Sequence, residues 1–173
     1  MAFYKSRAVE YNHTQMLLRK LKNKKIIIVG FGVVGKYTLK FLRHHFPKQV
    51  IGITDQKDGA DYLKKQKSYD LAIRSPGVPK QLITVPSTTA TNIFFANVKG
   101  MVIGITGSKG KGTTASLVHS ILQKAGIRSH LVGNIGNPML TEIMKPCSKK
   151  DVFVCELSSF QLDDILYSPH ISV

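Results

Sequence analysis

One pattern occurs twice in this chain and limits what it can fold into: an apolar run, then a glycine-rich loop, then a helical segment. The first copy is IIIVG with Gly30-Phe31-Gly32-Val33-Val34-Gly35 and KYTLKFLRHHF, a helix stopped by Pro47. The second is Met101–Ile105, the loop to Gly110, and a helix expected from Lys111 to Ala125 with Gly126 as its stop. A short apolar run rich in β-branched residues reads as a strand buried on both faces, which is how parallel strands sit. Further strands are expected at Val50–Thr54, Ser68–Ile73, Ile83–Val85, Ser129–Val132, Val152–Cys155 and from Ile171. Helices are expected at 7–21 (on Val9, Met16, Leu17 and Leu21), Thr91–Val98 and Pro138–Met144. Strands alternating with helices give an α/β protein with parallel sheets. The pattern restarts near Lys99–Gly100, so two units are expected, residues 1–99 and 100–173. Beyond this doubling there is no repeat and no low-complexity stretch.

Composition narrows the function. Twenty-five Lys and Arg against 10 Asp and Glu give a net charge of +15. Residues 1–50 hold eleven basic side chains and one acid, whereas 151–173 hold four acids and no base. A basic surface attracts polyanions. Aromatic residues are not interleaved with the cations as a single-strand stacking platform requires, so nucleic acid is not the expected partner. Two cysteines, Cys147 and Cys155, are too few for a disulfide framework. No apolar stretch is long enough to span a bilayer, and the first residues lack a secretory core, so a soluble cytoplasmic protein is the default. The six histidines show no metal or triad spacing.

Three motifs carry chemistry. Gly30-x-Gly32-x-x-Gly35, with Asp55 following 20 residues after Gly35 at a strand end, suits a nucleotide-like ligand, NAD by spacing alone. The plainer alternative is that the glycines serve only tight strand–helix packing. Gly104-Ile105-Thr106-Gly107-Ser108-Lys109-Gly110-Lys111-Gly112-Thr113-Thr114 suits a triphosphate. Loop N–H groups cradle the phosphates, Lys111 neutralises them, and a following hydroxyl can ligate Mg²⁺. Two positions depart from G-x-x-x-x-G-K-[ST]: Ile105 stands at the first glycine and Gly112 at the hydroxyl, leaving Thr113 or Thr114 to supply it. Third, Cys155-Glu156-Leu157-Ser158-Ser159-Phe160-Gln161-Leu162 follows an apolar strand. Glu156 there can hold Mg²⁺ beside the phosphate loop, or be an ordinary solvated acid at a strand end.

Taken together, GFGVVGK, SPGVP, TNIFFANVKG before GITGSKGKGTT, LVGNIGNP, CELSSFQLDD and SPHISV resemble the Mur ligase family of peptidoglycan synthesis, in its order and spacing, from about residue 24 onward. SPGVP with ELSSFQL resembles its D-glutamate-adding branch. The resemblance implies a Rossmann-like N-terminal domain and, after it, an incomplete P-loop ATPase-type central domain. It assigns Gly30, Phe31, Gly32, Val33, Gly35, Asp55 and Gln56 to the UDP part of the substrate rather than to NAD. Ser75, Pro76 and Gly77 would line the diphosphate or sugar path, and Asn134 would touch substrate. Gly107, Ser108, Lys109, Gly110, Lys111, Gly112, Thr113 and Thr114 would bind ATP. Thr113 and Glu156 would bind Mg²⁺, Lys111 and Glu156 would be catalytic, and Ser158 and Gln161 would lie near the reacting end. The related folylpolyglutamate ligases carry Gly-Lys-Gly-Ser, a precedent for the hydroxyl shifted to Thr113.

The implied reaction is ATP-dependent: the terminal carboxylate of UDP-N-acetylmuramoyl-L-alanine becomes an acyl phosphate and the amine of D-glutamate displaces phosphate. Positioning and charge neutralisation carry such chemistry. The family runs on into the rest of the ATPase domain and a third, amino-acid-binding domain. The 173 residues are therefore expected to be a fragment inactive alone, with exposed apolar sheet, and a monomer at full length. The competing expectations are another Mur or folyl-type ligase, a non-catalytic dinucleotide-binding domain, and a DNA-binding protein resting on charge alone.

Overall fold

The computed structural model describes residues 16–173. The expected helix at 7–21 is present as α1, Met16–Leu21, and its earlier part, with Val9, lies outside the described residues. The first sheet holds β1 (Ile26–Val29), β2 (Ile51–Thr54), β3 (Leu71–Arg74) and β4 (Ser87–Thr89), in the order β2-β1-β3-β4. All its pairs are parallel, with Ile28 opposite both Ile53 and Ile73. The second holds β5 (Met101–Ile105), β6 (Ser129–Gly133), β7 (Val152–Glu156) and β8 (Ile171–Ser172), in the order β6-β7-β5-β8, again all parallel. The helices are α2 (Val33–His45), α3 (Ala90–Asn97), α4 (Lys111–Lys124), α5 (Met139–Glu142) and α6 (Ser159–Leu162).

The unbroken apolar runs are explained by burial on both faces. In β1, Ile26 and Ile28 join one apolar cluster, whereas Ile27 and Val29 face a second with Ala72 and Val78. In β5, Val102 turns to the first cluster, and Ile103 and Ile105 pack with Ala115 of α4. α3 is buried almost all round, as a helix apolar on every side must be. Its Phe94 meets Phe153 of β7 edge-on at 5.8 Å, so one cluster takes residues from both sheets.

Several boundaries differ from the sequence reading. The third strand begins at Leu71, not Ser68, because Tyr62–Ser68 forms a 3-10 helix and Asp70 accepts the Lys25 N–H at 2.7 Å, which ends that turn. Ile83 and Val85 pack against the Ala72 cluster without forming a strand, and β4 starts only after Pro86. Pro86 has no N–H to donate, but its carbonyl accepts from Ala72. The helix expected at Pro138–Met144 is four residues long, Met139–Glu142. α2 ends at His45, before Pro47, and β2 begins one residue after Val50.

The fold has one consequence for binding. β1 connects outward to β2, and the chain then crosses back to β3 on the other side of β1. The crevice beyond the carboxyl ends of β1 and β3 is where an open α/β sheet reverses its winding and takes ligands.

Candidate functional site

The loop after β1 and the turn after β3 close on one another at that crevice. Ser75 donates its hydroxyl to the Gly30 carbonyl at 2.7 Å, and its N–H to the Val29 carbonyl at 2.9 Å. Gly30 has φ +88°, and a Cβ there would stand 2.9 Å from Ser75 Cβ. Gly35 in α2 lies under the loop, where an added Cβ would be 2.3 Å from the Gly30 oxygen. Both glycines are required by close approach. At Gly32 an added Cβ would meet nothing within 4 Å.

The resulting cleft has a volume of about 560 Å³. Of the residues named from sequence, Gly30, Gly32, Val33, Asp55, Gln56, Ser75, Pro76, Gly77 and Asn134 line it together. Asn134 comes from the loop after β6, so the second sheet supplies one wall. Phe31 and Gly35 do not line it: the Phe31 ring packs against the core, and Gly35 sits beneath the loop. Asp55 is engaged by the protein itself. Its Oδ2 accepts the Phe31 N–H at 2.6 Å and its Oδ1 the Lys57 N–H at 3.2 Å. These two backbone N–H groups, Phe31 first, hold its carboxyl below the usual range. Val78 and Pro79 of the SPGVP turn also line the cleft, as do Tyr62 and Leu82, which were not picked out in sequence.

The second loop links β5 to α4. Gly107 and Gly110 take φ +145° and +75°, and Gly110 is the residue before α4. The N–H groups of the first turn have no partner within a helix, and with the helix dipole they favour an anion. Lys111 opens α4 and donates to the Gly107 carbonyl at 2.8 Å, folded over its own loop. Gly107, Ser108, Lys109, Gly110 and Thr113 are exposed, and Gly112 and Thr114 partly so. A Cβ at Gly112 would make only ordinary contact with Ile135, at 3.7 Å.

β7 lies next to β5, and Glu156 is paired in register with Ile105, at the base of the Lys111 loop. On its other side Glu156 is paired with Gly133 of β6. Its side chain is 4% exposed, and Oε2 has no hydrogen-bond partner in the protein. A buried carboxylate oxygen without a partner is costly unless a cation or donor meets it. Glu156 and the Thr113 hydroxyl are each hard oxygen donors of the kind Mg²⁺ takes. Among the described residues no three His, Cys, Asp or Glu side chains form a metal cluster, so the protein would offer few ligands and phosphate oxygens the rest. Burial pushes the Cys155 thiol far above its usual value, which leaves it unsuited as a nucleophile.

Ser158 and Gln161 form a capping box on α6. Ser158 N–H donates to Gln161 Oε1 at 2.9 Å, and the Gln161 amide nitrogen reaches Thr91 at 3.5 Å. Gln161 and Asn134 share a narrow crevice of about 80 Å³ between the two sheets. Sequence reading missed Arg74, which is 3% exposed and pairs with Asp164. Its one signal was a cation inside an apolar strand, LAIR, just before the Ser75–Pro79 turn.

Compared with known proteins, residues 105–173 match the Mur ligase middle domain. The chain is 30% identical over 181 residues to a protein of Acetivibrio thermocellus named UDP-N-acetylmuramoylalanine--D-glutamate ligase, covering 90% of the chain and 39% of that protein. Proteins of the same name from Clostridium botulinum and Symbiobacterium thermophilum are 33% and 37% identical. The matches cover 88% and 66% of this chain, and 39% and 27% of those proteins. The chain thus spans about two fifths, 39%, of the first of these relatives. Among the described residues no helix is long and apolar enough to cross a membrane.

Proposed function

We propose, from the match of residues 105–173 to the Mur ligase middle domain, that the chain is the UDP-substrate- and ATP-binding part of an ATP-dependent ligase. The ligase adds D-glutamate to UDP-N-acetylmuramoyl-L-alanine in peptidoglycan synthesis. The observation that carries this reading is the 560 Å³ cleft, in which the first glycine loop, Asp55-Gln56, Ser75–Gly77 and Asn134 meet. A sensor that needed only the first glycine loop would have no use for a wall from the second sheet.

In this reading residues 1–99 bind the UDP substrate and 100–173 belong to the ATP-binding domain. The loop after β1 receives the uridylyl end, and the Ser75–Gly77 turn orients the diphosphate and sugar toward Asn134 and α6. That direction brings the terminal carboxylate toward the strand ends that bear Glu156 and the Lys111 loop. Backbone N–H groups of Gly107–Gly112 and the Lys111 ammonium hold the ATP phosphates and offset their charge as the γ-phosphoryl moves. Glu156 and Thr113 would hold Mg²⁺, which supplies further charge neutralisation on the phosphate oxygens when bound. Ser158 and Gln161 keep the wall next to the reacting end rigid. We place the reaction in the cytoplasm, where both nucleotides are found, with the full-length enzyme a monomer. For the 173 residues themselves the proposal is binding rather than turnover.

The test is a parallel thermal-shift series with UDP-N-acetylmuramoyl-L-alanine, ATP–Mg²⁺, NAD and duplex DNA. Saturable stabilisation by the first two is expected. Stabilisation by NAD with none from the UDP-sugar would overturn the reading in favour of a dinucleotide-binding domain.

A further inference from the structure

The turn that walls the cleft is held from behind by a buried cation. Arg74 ends β3 and is 3% exposed. One guanidinium nitrogen, Nη1, donates to the Val78 carbonyl inside the Ser75–Pro79 turn. The other, Nη2, lies 2.6 Å from Asp164 Oδ2, just beyond α6 in the second half of the chain. Around this pair Asn92 donates to the Asp164 carbonyl at 3.0 Å and accepts from Leu166 N–H at 2.8 Å. Lys80 reaches Asp163 at 3.1 Å. Arg74 Nε and Asp164 Oδ1 have no partner. An ion pair whose guanidinium is buried and whose carboxylate is partly so, with an unsatisfied atom on each side, is a poor source of stability, since well-packed apolar groups would serve as well. Its use lies in geometry: a rigid fork fixes two groups at a set distance.

We propose that Arg74 is a positioning residue that couples the 75–79 turn to the 158–166 segment. The cleft and the sheet bearing the phosphate loop then move as one body. The proposal rests on the cleft being the UDP-substrate site only for its effect on affinity. The coupling itself is a property of the chain.

The test uses the 173-residue chain with Arg74→Met, which keeps the stem and removes the fork, and Asp164→Asn, which keeps the Val78 arm. Hydrogen exchange is expected to rise at both 75–79 and 158–166 in Arg74→Met, but at 158–166 alone in Asp164→Asn, with 107–115 unchanged in both. The Kd for UDP-N-acetylmuramoyl-L-alanine is expected to rise at least tenfold in Arg74→Met and about threefold in Asp164→Asn, with the Kd for ATP–Mg²⁺ within twofold of the parent. The double variant should be no weaker than Arg74→Met, because both changes remove one link. Unchanged exchange at 75–79 in a folded Arg74→Met chain overturns the coupling. If Arg74→Met fails to fold, Asp164→Asn decides alone, and unaltered exchange at 158–166 sinks the proposal. A parent chain that does not bind the UDP-sugar defeats the reading of the cleft and leaves the exchange result to decide the coupling.

Discussion

The carboxylate of Asp55 accepts the Phe31 N–H at 2.6 Å from 24 residues away, so the end of β2 holds the glycine loop that follows β1. The acid expected to meet a ligand is thus also the tether of the loop that would bind it. Asp55→Ala is expected to weaken UDP-N-acetylmuramoyl-L-alanine binding by tenfold or more, and Asp55→Asn, which keeps one acceptor, by less. Two backbone N–H groups depress its carboxyl below the usual value, so the tether is intact above about pH 4 and is lost only as pH falls through the lower folded value. Calorimetric titrations from pH 5 to pH 8 should give a flat contribution from this group. A Kd difference between parent and Asp55→Asn that disappears by pH 5 would refute the tether.

The glycines of the first loop separate into two kinds. Gly35→Ala forces a Cβ to within 2.3 Å of the Gly30 oxygen and should cost roughly 2 kcal/mol or more, read as a lower denaturant midpoint. Gly32→Ala meets nothing within 4 Å, so the fold should tolerate it, but its methyl enters the cleft lining and should weaken the UDP ligand. Equal stability losses in the two variants would remove this distinction.

The parallel sheets and both loops could be read from sequence, because burial on two faces leaves an unbroken apolar run and strand–helix junctions concentrate glycine. The spacing of Ile26–Gly35 and Met101–Lys111 therefore located β1, β5 and α4 to within a residue, whereas α2 begins at Val33, three residues before the expected Lys36. Ile83–Val85 misled for the same reason: apolar residues there cover the Ala72 face from a loop, and only the ladder geometry after Pro86 shows where the strand lies. Arg74 and Asp164 are 90 residues apart, and nothing local in either segment encodes their pairing. The double engagement of Asp55 is likewise a tertiary fact, although its position at a strand end was evident.

Glu156 gives a prediction in which stability and ligand binding move in opposite directions. Its buried Oε2 lacks a partner. Glu156→Gln removes that charge and should leave the free chain as stable or raise it by about 1 kcal/mol, on the order of 2–4 °C in Tm. The same change should abolish the Mg²⁺-dependent part of ATP stabilisation. A variant that loses stability yet keeps full Mg²⁺ dependence would exclude Glu156 from the metal site.

The hydroxyl shift after Lys111 can be tested at two adjacent positions. Gly112→Ser should fold normally, since its Cβ meets Ile135 only at 3.7 Å. It should leave ATP–Mg²⁺ affinity within about threefold of the parent. Thr113→Ala should lower that affinity by tenfold or more, and Thr113→Ser should restore most of it. Strong loss in Gly112→Ser with none in Thr113→Ala would assign the hydroxyl role elsewhere.

His130 joins β6 to two acids in a part of the chain no motif marked. Its Nδ1 is 2.8 Å from Glu142 and its Nε2 3.3 Å from Asp151, and its ring stacks on Phe153 at 4.6 Å. Lys145 and Arg128 approach the same two carboxylates, and Ser148 donates to Asp151. Burial alone would raise the Glu142 carboxyl, but hydrogen bonds from Lys145 and His130 hold it below the usual range. At Asp151 burial is likewise outweighed by the Ser148 hydroxyl and N–H, with His130 adding to them. A depressed carboxylate stabilises the fold above its unfolded value, near 4, and that contribution is lost as pH falls through the folded value. Glu142→Gln should therefore cost about 1–3 kcal/mol at pH 7, with a smaller gap to the parent at pH 3. Urea midpoints at pH 7, 5 and 3 measure this: the gap should hold between pH 7 and 5 and close below. A gap that is constant down to pH 3 would mean that the Glu142 charge adds nothing beyond its shape.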